Sequence, residues 1–448
     1  MMGTQNVNVE ALMRKAAAAA AVFGELDQAH TDRIVRAVFE AGYGQRVRLA
    51  KMAEEETGIG RWQDKAVLNA LATLLVYEDI KDLKTVGVVS QDEARGIVEI
   101  AQPLGPILAV VPVTSPTATV LFAILIALKT RNPIIVAAQR GAARCSIEAA
   151  KACYEAALQE DAPDDCVQWV MDLAQEDLQK LTTHEGLALV LGGSSGNVPV
   201  YIERSADVPF AVAQICLSKL FDNGAACASE RALVVESCIA EQVEKELKKR
   251  GACFLDEDQV CRLAETVWDR REGALNAGIV GKPAAAVAKL AGISAPADVA
   301  LLVAPIRGAG AEHPLSASIP APILAYYVVA DFAQAADLCG DLDGRGGSGR
   351  AVSLFSNDEA KILKFASLMN AERVVVNSPA AQGALGGLFN ALPPALRLGD
   401  GVTVRRLLRT QRVARRRVNA QFAALPAEAL LDEKLGAREI TTLYHRNS

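Results

Sequence analysis

Between residues 107 and 191 the chain alternates short β-branched runs with longer apolar or amphipathic stretches, and few folds accept that pattern. Ile107 to Pro112, Pro133 to Ala138 and Leu187 to Leu191 read as buried strands. Ala118 to Lys129, Ser146 to Leu158 and Gln175 to Thr183 read as helices between them, with Trp169 in the interval before the third. Thr114-Ser115-Pro116-Thr117 has the form of a turn that caps the first of these helices. Strands separated by helices pair in parallel, with the helices covering both faces, and such a sheet holds its ligand at the carboxyl ends of its strands. The expected class is therefore α/β, with a doubly wound, Rossmann-like parallel sheet.

Three helices are expected ahead of this unit, at residues 8–24, 28–57 and 64–79. The second carries Ile34, Val35, Val38 and Phe39 at helical spacing and stops at Gly58-Ile59-Gly60. Gly96 to Ile100 is a further short strand. Beyond 202, the helix Val208 to Leu220 leads into a strand at Leu233 to Val235. A charged helix Glu241 to Lys249, helices near 258–270 and 284–291, and strands Ile323 to Val329, Val352 to Phe355 and Val374 to Val376 describe a second α/β domain. Gly383 to Gly387 reads as a flexible segment, and no internal repeat is visible. A chain of 448 residues with 51% hydrophobic content is too large for one core, so division into domains is required.

Composition narrows the function. A net charge of −6 gives no reason to expect a nucleic-acid partner. No run approaches the ~18 apolar residues of a membrane span, and no basic-then-apolar leader opens the chain, so a soluble protein without a membrane partner is expected. The nine cysteines are odd in number and include no C-x-x-C pair, which points to reduced thiols in the cytoplasm. Four histidines lie far apart, so no metal site is expected.

One cysteine stands apart. In Phe221-Asp222-Asn223-Gly224-Ala225-Ala226-Cys227-Ala228-Ser229-Glu230 a thiol sits among small residues, after an Asn-Gly turn and before a strand. Backbone N–H groups in such a turn can lower a thiol pKa or hold a developing oxyanion. Read locally, Cys227 is either a nucleophile or a small buried hydrophobe. Gly192-Gly193-Ser194-Ser195-Gly196-Asn197 suggests a phosphate cradle, but the extended run after it carries Pro199, so a glycine-rich turn is the plainer reading. Arg405, Arg406, Arg409, Arg412, Arg415, Arg416 and Arg417 recur at spacings of three and four, which would align many of them on one helix face as a subunit contact or solvated surface.

From about residue 8 to about 430 the chain resembles the CoA-acylating aldehyde dehydrogenases, most closely the dehydrogenase half of bifunctional aldehyde-alcohol dehydrogenase. The resemblance rests on Pro103-Leu104-Gly105-Pro106-Ile107, Thr114-Ser115-Pro116-Thr117, Leu128-Lys129-Thr130-Arg131-Asn132, Phe221-Asp222-Asn223-Gly224, Cys227-Ala228-Ser229-Glu230 and Asn377-Ser378-Pro379-Ala380-Ala381-Gln382-Gly383. It implies an aldehyde dehydrogenase-like fold: a Rossmann-like cofactor domain over residues 1–222, a catalytic α/β domain over 223–384, and a C-terminal return and oligomerisation segment over 385–448. It also implies that Cys227 attacks a small aldehyde, that hydride passes to NAD or NADP, and that CoA takes the acyl group. A homo-oligomer, dimer or larger, is implied with it.

Departures from the family pattern accompany these matches. Ser115 stands where the family has an asparagine whose amide helps hold the tetrahedral oxyanion, and a hydroxyl donates only one bond. A glycine-rich turn, helix and strand that the family carries after the position of Leu191 are missing, which removes donors from the dinucleotide pocket and argues against a complete NAD site. Thr114 and Pro116, and Gly192, Gly193 and Gly196, are the residues left to face a cofactor. Ser318 aligns with a glutamate that positions the nicotinamide ribose, and Arg350 with a histidine that is a candidate proton carrier. Arg350, with Arg345, can instead hold an anionic substrate group, although a solvated glycine-rich loop is the plainer reading. Two functions follow: an acylating dehydrogenase, or a version that transfers acyl groups without hydride transfer; and a non-catalytic partner or regulator of a related dehydrogenase.

Overall fold

The protein is described by a computed structural model covering residues 7–93, 96–192, 196–226, 228–269, 273–344, 351–371, 373–381 and 404–414. Cys227, Gly193, Arg345, Arg350 and the segment 383–387 lie outside the described residues.

Among the described residues the chain opens with the helices Val9–Glu25 (α1), Gln28–Gly44 (α2), Arg46–Thr57 (α3) and Trp62–Ala70 (α4). The single helix expected over 28–57 is broken at Gln45, whose backbone leaves the helical region (φ −94°, ψ 3°). The break turns α3 onto α4, with Leu49, Ala50 and Ala53 buried. The helix expected over 64–79 is continuous with α4 but passes through a π-helical turn, Leu71–Leu75, before Val76–Ile80 (α5).

The α/β expectation holds. Strands Gly87–Asp92 (β1) and Ile97–Pro103 (β2) form an antiparallel hairpin. Then Ile107–Val111 (β3), Ile134–Ala138 (β4), Val167–Met171 (β5) and Leu189–Leu191 (β6) build a parallel sheet in the order β5-β4-β3-β6. The helices Pro116–Lys129 (α6), Ala143–Gln159 (α7) and Gln175–Thr182 (α8) connect these four strands in turn. Every residue of α6 and of β4 is buried, which is why both read as unbroken apolar runs rather than as alternating faces. Each buried Ile, Val or Leu there contributes about 1.5–3 kcal/mol of hydrophobic stabilisation.

A second parallel sheet follows, made by Pro199–Ile202 (β7), Ala232–Glu236 (β8), Ala252–Phe254 (β9), Leu301–Pro305, Ile323–Val329, Val352–Phe355 and Val374–Val376. Its centre places β7 beside β8, with Val200 opposite Leu233, and Val352–Phe355 on the other side of β7. The sequence reading puts the 197–202 run with the first domain, and the structure corrects this. Parallel neighbours need a crossover of about a dozen residues or more. Only the seven residues 192–198 separate β6 from β7, so β7 joins the other sheet and the first sheet stops at four strands.

By internal contacts the chain divides into two units, Met1–Leu83 with Pro103–Leu408, and Lys84–Gln102 with Arg409–Ser448. In the second unit a strand at Leu408–Ala414 pairs beside β2. This corrects the helical reading of the arginine run over 408–414: long-range pairing overrides a local three-and-four spacing, and Arg412 bonds Glu99 of the hairpin at 2.8 Å.

The carboxyl ends of β7 and β8 carry two buried carboxylates. Glu236 accepts from the Tyr201 hydroxyl and pairs with Arg204, and Glu203 accepts from Ser205, Ser356 and Lys361. Burial raises the carboxyl pKa of Glu203, but the Lys361 ammonium and the two hydroxyls outweigh it and hold it below its ordinary value. A depressed carboxyl contributes stability above its unfolded pKa and loses it as pH falls through its folded pKa. Lys361→Met removes the cation, leaves only the two hydroxyls and the Ser205 N–H to oppose burial, and raises that pKa. The variant should lose about 2 kcal/mol at pH 7, and its deficit in Tm should shrink as pH is lowered towards 4, measured by thermal unfolding across that range.

Candidate active site

The strand order creates a switch point. From β3 the chain winds outward through β4 and β5, and β6 returns to the other side of β3. Ligands of doubly wound sheets sit outside the carboxyl ends of the strands at such a point. There, Thr114, Ser115 and Pro116 follow β3 and Gly192 follows β6. Gly192 lies against Val110, where an added Cβ would come within 2.9 Å of the valine side chain. Thr114 and Pro116, two of the residues expected to face a cofactor, thus lie with Gly192 at the carboxyl ends of adjacent strands. Gly196 does not join them: its carbonyl accepts from Ser318 at 3.1 Å, and Asn197 donates to the Ser316 carbonyl at 2.7 Å. Ser318 therefore anchors the connection between the sheets.

Ser115 is the N-cap of α6, but its side chain makes no capping bond, and its Oγ lies 3.5 Å from Thr119 Oγ1. The hydroxyl is half-buried and available to donate. The turn that carries it is gripped from α4. Lys65 Nζ donates to the Thr114 carbonyl at 2.7 Å, and Thr117 Oγ1 donates to Asn69 Oδ1 at 2.8 Å.

The segment before Cys227 is a turn of three consecutive left-handed residues, Asp222 (φ 53°), Asn223 (φ 53°) and Gly224 (φ 73°). Two of these are not glycine, and each such residue costs about 1–2 kcal/mol unless its surroundings hold it. They do. Asp222 Oδ2 accepts from Lys65 at 2.8 Å, its Oδ1 accepts from the Arg61 N–H at 2.8 Å, and its own N–H donates to Asp64 at 2.8 Å. Burial pushes the Asp222 carboxyl up, with the Lys65 ammonium and the Arg61 N–H pulling the other way. Asn223 donates to the Gly281 carbonyl at 3.0 Å. Gly224 is obligatory, because a Cβ there would lie 2.5 Å from the Ala321 carbonyl oxygen.

After the cysteine, buried Arg231 folds back on the turn. Its guanidinium donates to the carbonyls of Gly224 at 2.6 Å, Ala226 at 2.8 Å and Ile319 at 2.7 Å. Ser229 Oγ also donates to the Ala226 carbonyl, at 2.9 Å. Two carbonyls of the segment before the thiol, those of Gly224 and Ala226, are therefore held by one buried cation. Three buried atoms nearby have no hydrogen-bond partner among the described residues: Lys219 Nζ, Glu230 Oε2 and Asn197 Oδ1. Burial, assisted by Arg231, drives Lys219 well below its ordinary range, and burial raises Glu230; both shifts favour the neutral forms.

Other thiols are unsuited to nucleophilic work. Burial pushes Cys145, Cys153 and Cys166 up to about 12 and Cys216 up to about 11. Cys238 and Cys261 are exposed on helical surfaces. Among the described residues no group of three His, Cys, Asp or Glu side chains is placed to hold a metal ion, and no helix is long and apolar enough to cross a membrane.

A cavity of about 840 Å³ at the carboxyl ends of β4 and β5 is lined by Trp169, Met171, Arg140, Arg144 and Lys151 among others. Its size suits a nucleotide-sized ligand, since such pockets span ~300–1,000 Å³. The N-terminus of α7 faces it but is already satisfied, because the Glu56 carboxylate accepts from the N–H groups of Arg144 and Cys145 at 2.8 and 2.7 Å. Sequence reasoning missed this cavity along with Lys65, Asn69 and Arg231. None sits in a glycine-rich motif; Lys65 and Asn69 do stand four apart, the spacing of one helix face, but nothing local says what they reach.

Comparison with known proteins agrees with this architecture. The model of the aldehyde dehydrogenase family matches residues 2–195. The chain is 34% identical over 444 residues to aldehyde-alcohol dehydrogenase 2 of Entamoeba histolytica, covering 91% of this chain and 51% of that protein. It therefore spans about half the length of that relative. It is 31% identical over 415 residues to sulfoacetaldehyde dehydrogenase (acylating) of Cupriavidus necator, covering 88% of this chain and 84% of the relative. The crystal structure of an acetylating aldehyde dehydrogenase from Geobacillus thermoglucosidasius superposes with a TM-score of 0.86 at 37% identity, over 91% of this chain and 96% of that one. Since the likeness runs through both sheets and nearly the whole of a solved acetylating enzyme, the chain belongs to the acylating aldehyde dehydrogenase family.

Proposed function

We propose that the chain is a CoA-acylating aldehyde dehydrogenase that oxidises a small aldehyde to an acyl-CoA through a thioester on Cys227. The observation that carries this reading is the left-handed stretch 222–224, kept in place by Lys65, Arg61, Asp64 and Arg231 three residues before the cysteine. Strain of this kind persists where the surroundings over-determine it, and it clusters at reacting positions. The relatives bear the names of active dehydrogenases, which favours turnover over a purely structural partner role.

The residues present fit a dinucleotide in part. The cavity beside Trp169, Arg140 and Arg144 suits its nucleotide end, and Thr114, Pro116 and Gly192 border the switch point where its reactive end belongs. A bound NAD or NADP supplies the hydride acceptor. The protein's own part begins with the Cys227 thiolate, whose Sγ forms a bond to the aldehyde carbon while the C=O π pair moves to oxygen. Ser115 Oγ–H donates to that oxyanion. Once the carbon has lost hydride, the C=O re-forms and Cys227 carries a thioester. The CoA thiolate then attacks the same carbon, the C–Sγ bond breaks, and acyl-CoA leaves with the Cys227 thiolate regenerated. Arg350 is read as a holder of an anionic substrate or CoA group.

Purified protein mixed with NAD, CoA and short aldehydes should reduce nicotinamide, followed by absorbance, and Cys227→Ala should abolish the signal. Failure of both turnover and acyl labelling of Cys227 from an acyl-CoA would overturn the assignment. Ser115→Asn supplies a two-donor amide at the oxyanion position, where one donor is typically worth ~10²-fold or more. It should raise kcat by about tenfold or more; a fall in kcat with unchanged stability would remove Ser115 from that role.

A further inference from the structure

We propose that Lys65 is a positioning residue, whose buried ammonium sets the separation between the Ser115 turn and the Cys227 turn. This rests on the reading of Cys227 and Ser115 given above. Lys65 is only 2% exposed, and its Nζ bridges the Thr114 carbonyl, one residue before Ser115, and Asp222, five residues before Cys227. No other described side chain bonds both turns.

The bridge is built into α4 rather than hung from it. One helical turn after Lys65, Asn69 accepts from Thr117, so the same helix face holds the Ser115 turn at both ends. Asn69 is itself fixed, donating to the Arg46 carbonyl at 2.8 Å. At the start of α4, Arg61 and Asp64 hold the other carboxylate oxygen and the N–H of Asp222. The approach is close enough to exclude any side chain at Gly60, where a Cβ would lie 1.9 Å from Asp222 Oδ1 and φ is +70°.

Stability alone does not account for such a pair. Replacing a buried ion pair by apolar groups of similar volume is often neutral or stabilising, so a buried lysine and aspartate need another reason to be there. Geometry is that reason. Nucleophile and oxyanion donor lie on separate turns, one after β3 and one before β8, and a misplacement of about 1 Å between reacting groups can cost ~10²-fold in rate.

The test is Lys65→Met with Asp222→Asn, which removes both charges at similar volume and leaves no unpaired ion; Lys65→Met alone serves as the disruptive comparison. The paired variant should unfold within about 5 °C of the parent. It should keep KM within about twofold and lose about tenfold or more in kcat. If Lys65 acts through Ser115, adding Ser115→Ala should cost much less in the paired variant than in the parent, since coupled positions are not additive. Additive losses, or an unchanged kcat in a folded paired variant, overturn the proposal. If the parent itself shows no turnover, the functional reading falls and the bridge is tested separately, by iodoacetamide labelling at pH 8 with mass spectrometry. The Cys227 rate should then shift at least threefold in the paired variant while exposed Cys238 and Cys261 stay constant. An unchanged Cys227 rate overturns it.

Discussion

The buried contact between Lys65 and Asp222 is where the parts of this site meet. On one side it reaches the turn after β3; on the other it holds a run of left-handed residues that local sterics disfavour. Without it the Asp222 carboxylate would lie buried without its cation, and the backbone of 222–224 would relax towards ordinary helical or extended values. Arg231 completes the arrangement from the far side of the cysteine by taking two carbonyls that a relaxed turn would offer to water. The strain is thus distributed over several charge-assisted bonds, each stronger than a neutral one.

A second constraint is the length of the connection between the two parallel sheets. Seven residues between β6 and β7 are too few for a crossover, so the first parallel sheet ends at β6 and the next strand enters the second sheet. Ser318 and Ser316 tie this short connection down by bonding Gly196 and Asn197. The family likeness runs over nine-tenths of the chain and so takes in both sheets, each with its own core.

Much of the scaffold was legible beforehand. Fully buried strands and the wholly buried α6 appear as continuous apolar runs, and their alternation admits only a parallel α/β arrangement. The cysteine turn was legible too, since Asn-Gly followed by small residues marks a tight turn. Less visible were the break at Gln45, the short strand Ala252–Phe254 and the strand at 408–414, all of which depend on distant partners. The arginine spacing in that last strand suggested a helix because a three-and-four pattern also arises by chance in a basic run.

The amino-acid sequence by itself determined the fold class and, through motifs shared with the family, singled out the Cys227 turn, Ser115 and the short connection after Leu191. All of these are local or cumulative properties, readable as patterns of apolar spacing, turn residues and matched motifs. Only the tertiary structure decided that Lys65 and Arg231 are buried, that Glu56 occupies the start of α7, and that β7 changes sheets. A charged side chain leaves no local trace of whether it points to water or into the protein. Its burial depends on acceptors brought from elsewhere, here from a carbonyl 49 residues away and a carboxylate 157 residues away.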